Sequence, residues 1–507
     1  MNPQFAAYLP LAPLALLVLG ALLALLLVPA SRQGDPERTL PWHAGMVLAS
    51  ALILALTLWI RPVLGMDPVG PSGAFRASYL GGAITVDSLS LLLVVLASAG
   101  GLLTLPLLVN ASERGGFAYG ELHALLLFAV SGAGMVGAAG DMFTGFLGLE
   151  VLAISVYGLI GLERSRPRAQ EAVLKYLLLG AFASAIMLLG MAFLFGASGS
   201  LSFTALQKSS AHLPPARHAV ALLGLAAVAA GLAFKVAAVP FHMWSADVYE
   251  GASTPVTGFM ATVVKVTAFV FGMRVLLWGL AGLGQDWQPL LATLAVASML
   301  VGNLMAITQS KPKRTLAFSS VVHSGYMLVG LSSAAGTSGV GAAEALVIYL
   351  VAYLLTNLAA FACLDILERD GGLDGAVSRH PWVASAFILS LLSLVGFPMT
   401  AGFLGKYLVF ASAFEAGLSW LGVLAIFSSI LSLAYYLPLI FKLMGSSGRG
   451  PAEAVLVPGR GESISVAVSS TLVVAIGAGI LAVAGWMVPG AQWLAQWAAQ
   501  AGHILFP

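Results

Sequence analysis

Six basic side chains of this 507-residue chain stand where water is scarce: Lys175, Lys235, Lys265, Arg274, Lys406 and Lys442 fall within or at the ends of long apolar runs. A charge at the centre of a lone membrane helix costs roughly 2.5–3.5 kcal/mol on insertion scales, so such residues persist where they have a use. One acidic residue, Glu150 in Phe146-Leu-Gly-Leu-Glu150, also falls clearly near the middle of an apolar run. The chemistry that suits this set is proton transfer. Burial disfavours the ammonium form of a lysine and a nearby carboxylate favours it again, so a lysine whose carboxylate partner approaches and withdraws can be loaded and unloaded near neutral pH. Lys175 and Lys265 would extend such a chain from Glu150 and Lys235. His323, in Ser319-Ser-Val-Val-His323, suits a relay because an unperturbed imidazole titrates at about 6.5.

Two of these lysines share an unusual setting. Lys235 ends Gly231-Leu-Ala-Phe-Lys235 with Pro240 five residues on, and Lys406 ends Gly396-Phe-Pro-Met-Thr-Ala-Gly-Phe-Leu-Gly-Lys406. Proline removes a backbone donor and clashes with the preceding turn, which frees carbonyls at membrane depth. Both stretches therefore read as broken helices, and a pair of them in corresponding positions points to an internal repeat with sites lining a cavity. The other charges have plainer readings. Arg274 and Lys442 lie within reach of a helix end and can snorkel to the interface; Asp87, Asp141 and Asp365, near predicted ends, read as solvated or capping groups.

The elements that must hold these residues are membrane helices. The chain is 59% hydrophobic and 9% charged, against about 25% charged in an average soluble domain, too few charges to cover a soluble surface. A bilayer core about 30 Å thick takes roughly 20 apolar residues per helix, and about fourteen such spans fit between residues 9 and 488. No strand-length alternation runs through them, so the predicted class is all-α. Spans seven and twelve, at about 219–241 and 382–411, carry the two prolines. The first apolar run has no basic residue before it and Arg32 and Arg38 after it, the reverse of a secretory signal, so a retained helix is expected.

Alternate connectors carry thirteen lysines and arginines on one side, among them Lys311, Lys313 and Arg314, and four on the other: Arg61, Arg76, Lys208 and Arg217. Positive charge collects on the cytoplasmic side, which places both termini on the non-cytoplasmic side. Trp486, Trp493 and Trp497 then mark an interfacial belt. The net charge of +2 gives no nucleic-acid footprint. A single cysteine, Cys363, excludes a disulfide within the chain and cannot furnish the ligands of an iron–sulfur cluster. The eight histidines show no metal-ligand spacing, so no metal site is expected. Gly132, Gly134 and Gly137 match a dinucleotide pattern but lie in an apolar helix, where small residues serve close packing.

The stretch Gly231-Leu-Ala-Phe-Lys-Val-Ala-Ala-Val-Pro-Phe-His-Met-Trp-Ser-Ala-Asp-Val-Tyr-Glu-Gly-Ala252, followed by Pro255-Val and Lys265, resembles the central signature of the antiporter-like subunits of respiratory complex I. Leu149-Glu150, Lys175-Tyr-Leu-Leu-Leu-Gly-Ala181, Ser319 to His323 and Gly402-Phe-Leu-Gly-Lys406 follow in the family's order. Within that group the chain is most similar to the N-type subunits. Lys406 is unlike the M type, which usually has glutamate there, and the short stretch after the fourteenth span leaves no room for the lateral helix of the L type.

The resemblance implies two inverted five-helix repeats, at 121–281 (helices 4–8) and 290–444 (helices 9–13), between an N-terminal region 1–110 and a C-terminal 465–507, with helices 7 and 12 discontinuous. It implies that Glu150 and Lys235 form a switching pair, that Lys175 and Lys265 connect or modulate, that His323 relays, and that Lys406 leads toward the far half-channel. The chain would then bind neither NADH nor quinone. FMN, iron–sulfur clusters and quinone would belong to partner subunits of a bacterial cell-membrane NADH:quinone oxidoreductase, alongside M and L types and the small K and J types. A sodium/proton antiporter subunit or a membrane-bound hydrogenase subunit is the alternative.

Overall fold

Glycine, proline and short polar connectors divide the apolar runs into helices, which the computed structural model describes over residues 8–31, 36–60, 76–115, 120–335, 340–445 and 457–483. Arg32, Arg61, Arg449 and the three tryptophans of the expected interfacial belt lie outside these residues. In chain order the elements are α1 (Ala12–Ser31), α2 (Pro36–Ile60), β1 (Arg76–Tyr79), β2 (Ile84–Asp87), α3 (Ser88–Gly115), α4 (Glu121–Gly137), α5 (Met142–Gly161), α6 (Pro167–Ser198), α7 (Phe203–Ser210), α8 (Pro215–Lys235) and α9 (Ser245–Gly251). Then come α10 (Thr254–Gly279), α11 (Gly284–Ile307), α12 (Pro312–Ser333), α13 (Val340–Arg369), α14 (Ala376–Arg379), α15 (Pro381–Val395), α16 (Ala401–Glu415), α17 (Ser419–Met444) and α18 (Arg460–Val483).

Among the described residues eleven helices are long and apolar enough to cross a membrane, and α4 and α15 are shorter apolar helices. The protein is thus a polytopic helical membrane protein. Its centre is set by α10 and α13, buried along 94% and 89% of their spanning windows, whereas α1, at 33%, turns most of its surface outward. α12 is polar for a membrane helix yet buried continuously from Thr315 to Ser333, so its hydroxyls and His323 face protein rather than lipid.

Both expected breaks are present. α8 stops at Lys235, and residues 236–244 form turns around Pro240 before α9 begins. α15 stops at Val395, and residues 396–400 turn the chain before α16, with Gly396 at φ +95°, a conformation that glycine adopts without steric cost. Thr400 then caps α16 by accepting from the Phe403 backbone N–H. α10 is interrupted differently, by wide π turns at Met260–Val264 and Arg274–Gly279. Such bulges recur at functional sites, and here Lys265 follows one directly while Arg274 opens the other.

The hairpin β1–β2 departs from the helical reading of residues from 86 onward. Arg76 pairs with Asp87 and Tyr79 with Ile84, and Gly81 and Gly82, at φ +68° and +94°, make the reversal. The glycines of the false dinucleotide match serve packing: a Cβ on Gly132 would stand 2.6 Å from the Leu152 N and 2.7 Å from the Gly148 O on α5.

Candidate functional site

The buried line begins on α5. Asp141 caps this helix, accepting from the Thr144 N–H at 2.7 Å, and Glu150 follows from its middle. The Glu150 Oε1 accepts from the Ser184 hydroxyl of α6 at 2.6 Å and from the Lys235 Nζ at 2.9 Å. Lys235 is 5% exposed and is the last residue of α8, where unpaired carbonyls and the negative end of the helix dipole favour a cation. A charge-assisted pair therefore sits at the first break.

Lys265, fully buried on α10, donates to the Ser320 carbonyl at 2.7 Å, to the Ser320 hydroxyl, and to the Ser324 hydroxyl at 2.8 Å. Ser324 in turn donates to the Val236 carbonyl at 2.6 Å, the residue directly after Lys235. This serine bridges the first break to the second lysine. Ser320 also shares a 2.9 Å hydrogen bond with the Tyr353 hydroxyl of α13. Further along α12, the His323 Nδ1 and the Tyr349 hydroxyl lie 2.6 Å apart, and its Nε2 lies 3.3 Å from the Tyr436 hydroxyl, which itself bonds Ser319. Lys406, 3% exposed, donates to the Val395 carbonyl that ends α15 and to the Ser429 hydroxyl, both at 2.9 Å. The Tyr326 ring fills the space between it and His323, 4.8 Å from the Lys406 Nζ and 5.5 Å from the imidazole.

Five of the six residues singled out in the sequence thus follow one another through the core. Lys175 does not join their hydrogen bonds. Its side chain is 40% exposed and binds Glu171 at 2.7 Å and Asp247 at 2.8 Å, part of a rim network in which Arg314 also bonds Asp247 and Glu250. The hydrogen bond from Lys175 lowers the Asp247 carboxyl below its ordinary value against partial burial, and Arg314 adds to the effect. Two other expectations change. Arg274, expected to snorkel, is 2% exposed and bonds the Asp87 Oδ1 at 2.7 Å. Asp87 both caps α3 through the Ser90 N–H and neutralises that guanidinium. Asp365 is buried beside Arg369 at 3.1 Å instead of being solvated. Lys442 is exposed at its helix end.

The hydroxyl partners were not anticipated. Ser184, Ser320, Ser324, Tyr349, Tyr353, Ser429 and Tyr436 are common residue types in membrane helices. The available signal was spacing: Ser320 with Ser324, and Tyr349 with Tyr353, each stand four apart and so share a helical face.

The sequence profile of the NADH:quinone oxidoreductase/Mrp antiporter transmembrane family matches residues 139–432. The chain belongs to this family. All six residues named from the sequence fall inside the matched stretch. Among curated relatives, NADH-quinone oxidoreductase subunit N of Salinibacter ruber is 38% identical over 489 residues, 93% of this chain and 92% of the relative. Subunit N 2 of Symbiobacterium thermophilum is 34% identical over 522 residues, 98% and 97% of the two chains. A chain of respiratory complex I from Thermus thermophilus with bound aureothin superposes with a TM-score of 0.75 at 32% identity, covering 92% of this chain and 98% of that one. A chain of the Mrp complex from Dietzia, at 23% identity, shares the fold with a TM-score of 0.81 over 99% of this chain and 97% of its own.

Proposed function

We propose that protons cross the membrane through this chain along Glu150, Lys235, Lys265, His323 and Lys406, and that the chain is the N-type membrane-arm subunit of a bacterial NADH:quinone oxidoreductase. The observation that carries this reading is the Glu150–Lys235 pair, a partly buried carboxylate and a buried ammonium 2.9 Å apart at a helix break. Intramembrane ionisable groups face cavities and mark ion pathways. The 38% identity to a subunit N across 93% of the chain supports that assignment over a free-standing antiporter, for which the likeness to the Mrp complex speaks only through fold.

In this reading Lys235 exchanges its proton as Glu150 moves toward or away from it, Lys265 is the next site in the line, held against the first break by Ser324, and His323 and the tyrosines around it lead on to Lys406. Lys175 tunes the rim through Asp247. Redox chemistry, with its flavin, clusters and quinone, resides in partner subunits, and its energy arrives as displacements of charge at the subunit boundary. The architecture we infer has fourteen spans, two inverted repeats over 121–281 and 290–444 flanked by 1–110 and 465–507, and both termini on the non-cytoplasmic side. The broken helices α8–α9 and α15–α16 and the thirteen-to-four asymmetry of connector charge support it. The test is the assembled complex carrying Lys235→Ala in proteoliposomes. Proton pumping is expected to disappear with quinone reduction impaired, and normal pumping by that assembled variant overturns the reading.

A further inference from the structure

Tyr326 stands between the last two members of the line. Its ring is fully buried, 4.8 Å from the Lys406 Nζ and 5.5 Å from the His323 imidazole, and the Phe410 ring packs on it edge-on at 5.4 Å. Among the described residues no hydrogen bond joins His323 to Lys406. The imidazole pairs with the Tyr349 and Tyr436 hydroxyls, and the lysine with the Val395 carbonyl and the Ser429 hydroxyl. Proton transfer needs donor and acceptor within about 2.6–3.2 Å of each other, or one water between them, so an aromatic ring wedged between two bases interrupts it.

An arm from outside the line keeps the ring in place. The Tyr326 hydroxyl and the Ser428 Oγ of α17 lie 3.1 Å apart, and the Ser428 Oγ accepts from the Asn303 Nδ2 of α11 at 2.8 Å. The same nitrogen donates to the Met299 carbonyl at 2.8 Å, which fixes the amide against its own helix. Ser429, the next residue of α17, accepts from Lys406 and donates to the Val395 carbonyl at 3.1 Å. Two adjacent serines therefore grip the ring and the lysine beside it. Asn303 is fully buried, and its Oδ1 has no hydrogen-bond partner among the described residues. A buried amide with an unsatisfied carbonyl costs stability, so packing does not account for an asparagine here; its bond to Ser428 does. Gly302 and Gly325 seat α11 against α12, where a Cβ on either would stand 3.1 Å from the Val322 N or 2.9 Å from the Ala295 O. Anchor and ring thus ride on one closely packed helix pair.

We propose that Asn303, acting through Ser428, is a positioning residue that holds the Tyr326 ring between His323 and Lys406, so that charge passes between them only when the bond between Tyr326 and Ser428 opens. With the bond closed the two bases are kept apart, and a proton already delivered to Lys406 does not return to His323. This inference rests on the reading of His323 and Lys406 as consecutive relay sites.

The test uses the assembled complex in proteoliposomes and measures protons pumped per NADH oxidised, with and without an opposing pH difference imposed across the membrane. Asn303→Ala, Ser428→Ala and Tyr326→Phe each remove one link of the arm and keep the ring. Against the pH difference each is expected to lower the ratio roughly two- to ten-fold, the change in open population that one lost hydrogen bond of ordinary strength allows, because protons slip back past the freed ring. Without the pH difference the loss is expected to be smaller. The double variant of Asn303→Ala and Tyr326→Phe is expected to be no worse than Tyr326→Phe alone, since both act through one contact. If Asn303→Ala does not co-purify with its partners, Ser428→Ala combined with Tyr326→Phe makes the same comparison. Ratios against the pH difference equal to those of the unsubstituted complex overturn the proposal. So does a loss as large without the pH difference as with it, which marks a merely loosened fold, and so does a double variant in which the two losses multiply. Lys406→Ala, measured in parallel, separates the two levels: if it abolishes pumping while the arm variants match the unsubstituted complex, the arm alone is wrong, and if it pumps normally the relay reading beneath it is wrong.

Discussion

The two broken helices hold their lysines in different ways. Lys235 is held by a carboxylate, with the Glu150 oxygen 2.9 Å from its nitrogen. Lys406 is held by neutral groups, the Val395 carbonyl and the Ser429 hydroxyl, with the Tyr326 ring on a third side. Among the described residues no carboxylate lies within ion-pair distance of Lys406. An opposite charge at hydrogen-bond range strongly favours the ammonium, and moving it away removes that preference. A carbonyl and a hydroxyl accept from an amine as well as from an ammonium, so the cradle of Lys406 fits both forms. Under the proposed relay, the first site would respond to the position of one carboxylate, whereas the second would respond to charge arriving along the line from His323.

This contrast breaks most sharply at the first pair. Lys235→Ala should lower pumping on the order of 100-fold, the low end of what positioned acid–base groups supply. It should also destabilise the subunit by about 1–3 kcal/mol, because Glu150 loses its counter-charge but keeps the Ser184 hydroxyl and some access to solvent. Adding Glu150→Gln should recover most of the stability, read as the detergent-resistant lifetime of the complex, and none of the pumping. A double variant no more stable than Lys235→Ala would mean that the pair is not electrostatically coupled. Lys406→Ala should abolish pumping to a similar extent with a smaller loss of stability, because no charged partner is orphaned. A lifetime as short as that of Lys235→Ala would show that Lys406 also depends on a counter-charge.

Ser429→Ala sharpens the comparison on a smaller scale. Removing one acceptor of Lys406 should cost about 1 kcal/mol and slow pumping a few-fold, whereas assembly should be unchanged. Unaltered pumping would mean that the hydroxyl is not part of the relay. The rim network supplies the smallest effect. Asp247 has its carboxyl held below its ordinary value by Lys175 and, secondarily, Arg314. The stabilisation it gives α9 is present above the usual carboxylate range, near pH 4, and is lost as pH falls through the lowered value. Backbone amide exchange of residues 245–251 should therefore be unchanged between pH 8 and 6, after correction for intrinsic rates, and rise below about 4. A rise already between pH 8 and 6 would contradict the assignment.

The sequence by itself determined the membrane class, both helix breaks, and the burial of Lys235, Lys265, His323 and Lys406. These follow from local properties: an apolar run long enough to span, a proline or glycine within it, and a charge flanked by residues that leave it no water. Tertiary structure alone decided who meets whom. Lys235 and Glu150 are 85 residues apart, Arg274 and Asp87 187 apart, and Lys265 and Ser324 59 apart, and no local pattern fixes the rotation of one helix against another. The same freedom placed Lys175 at a half-exposed rim, turned Arg274 inward to a cap it also neutralises, and buried Lys313, which its connector composition had set in solvent. Helix packing depends on small residues such as Gly132 seated against a neighbouring backbone, and it is this close seating that brings ordinary serines and tyrosines into line between the lysines.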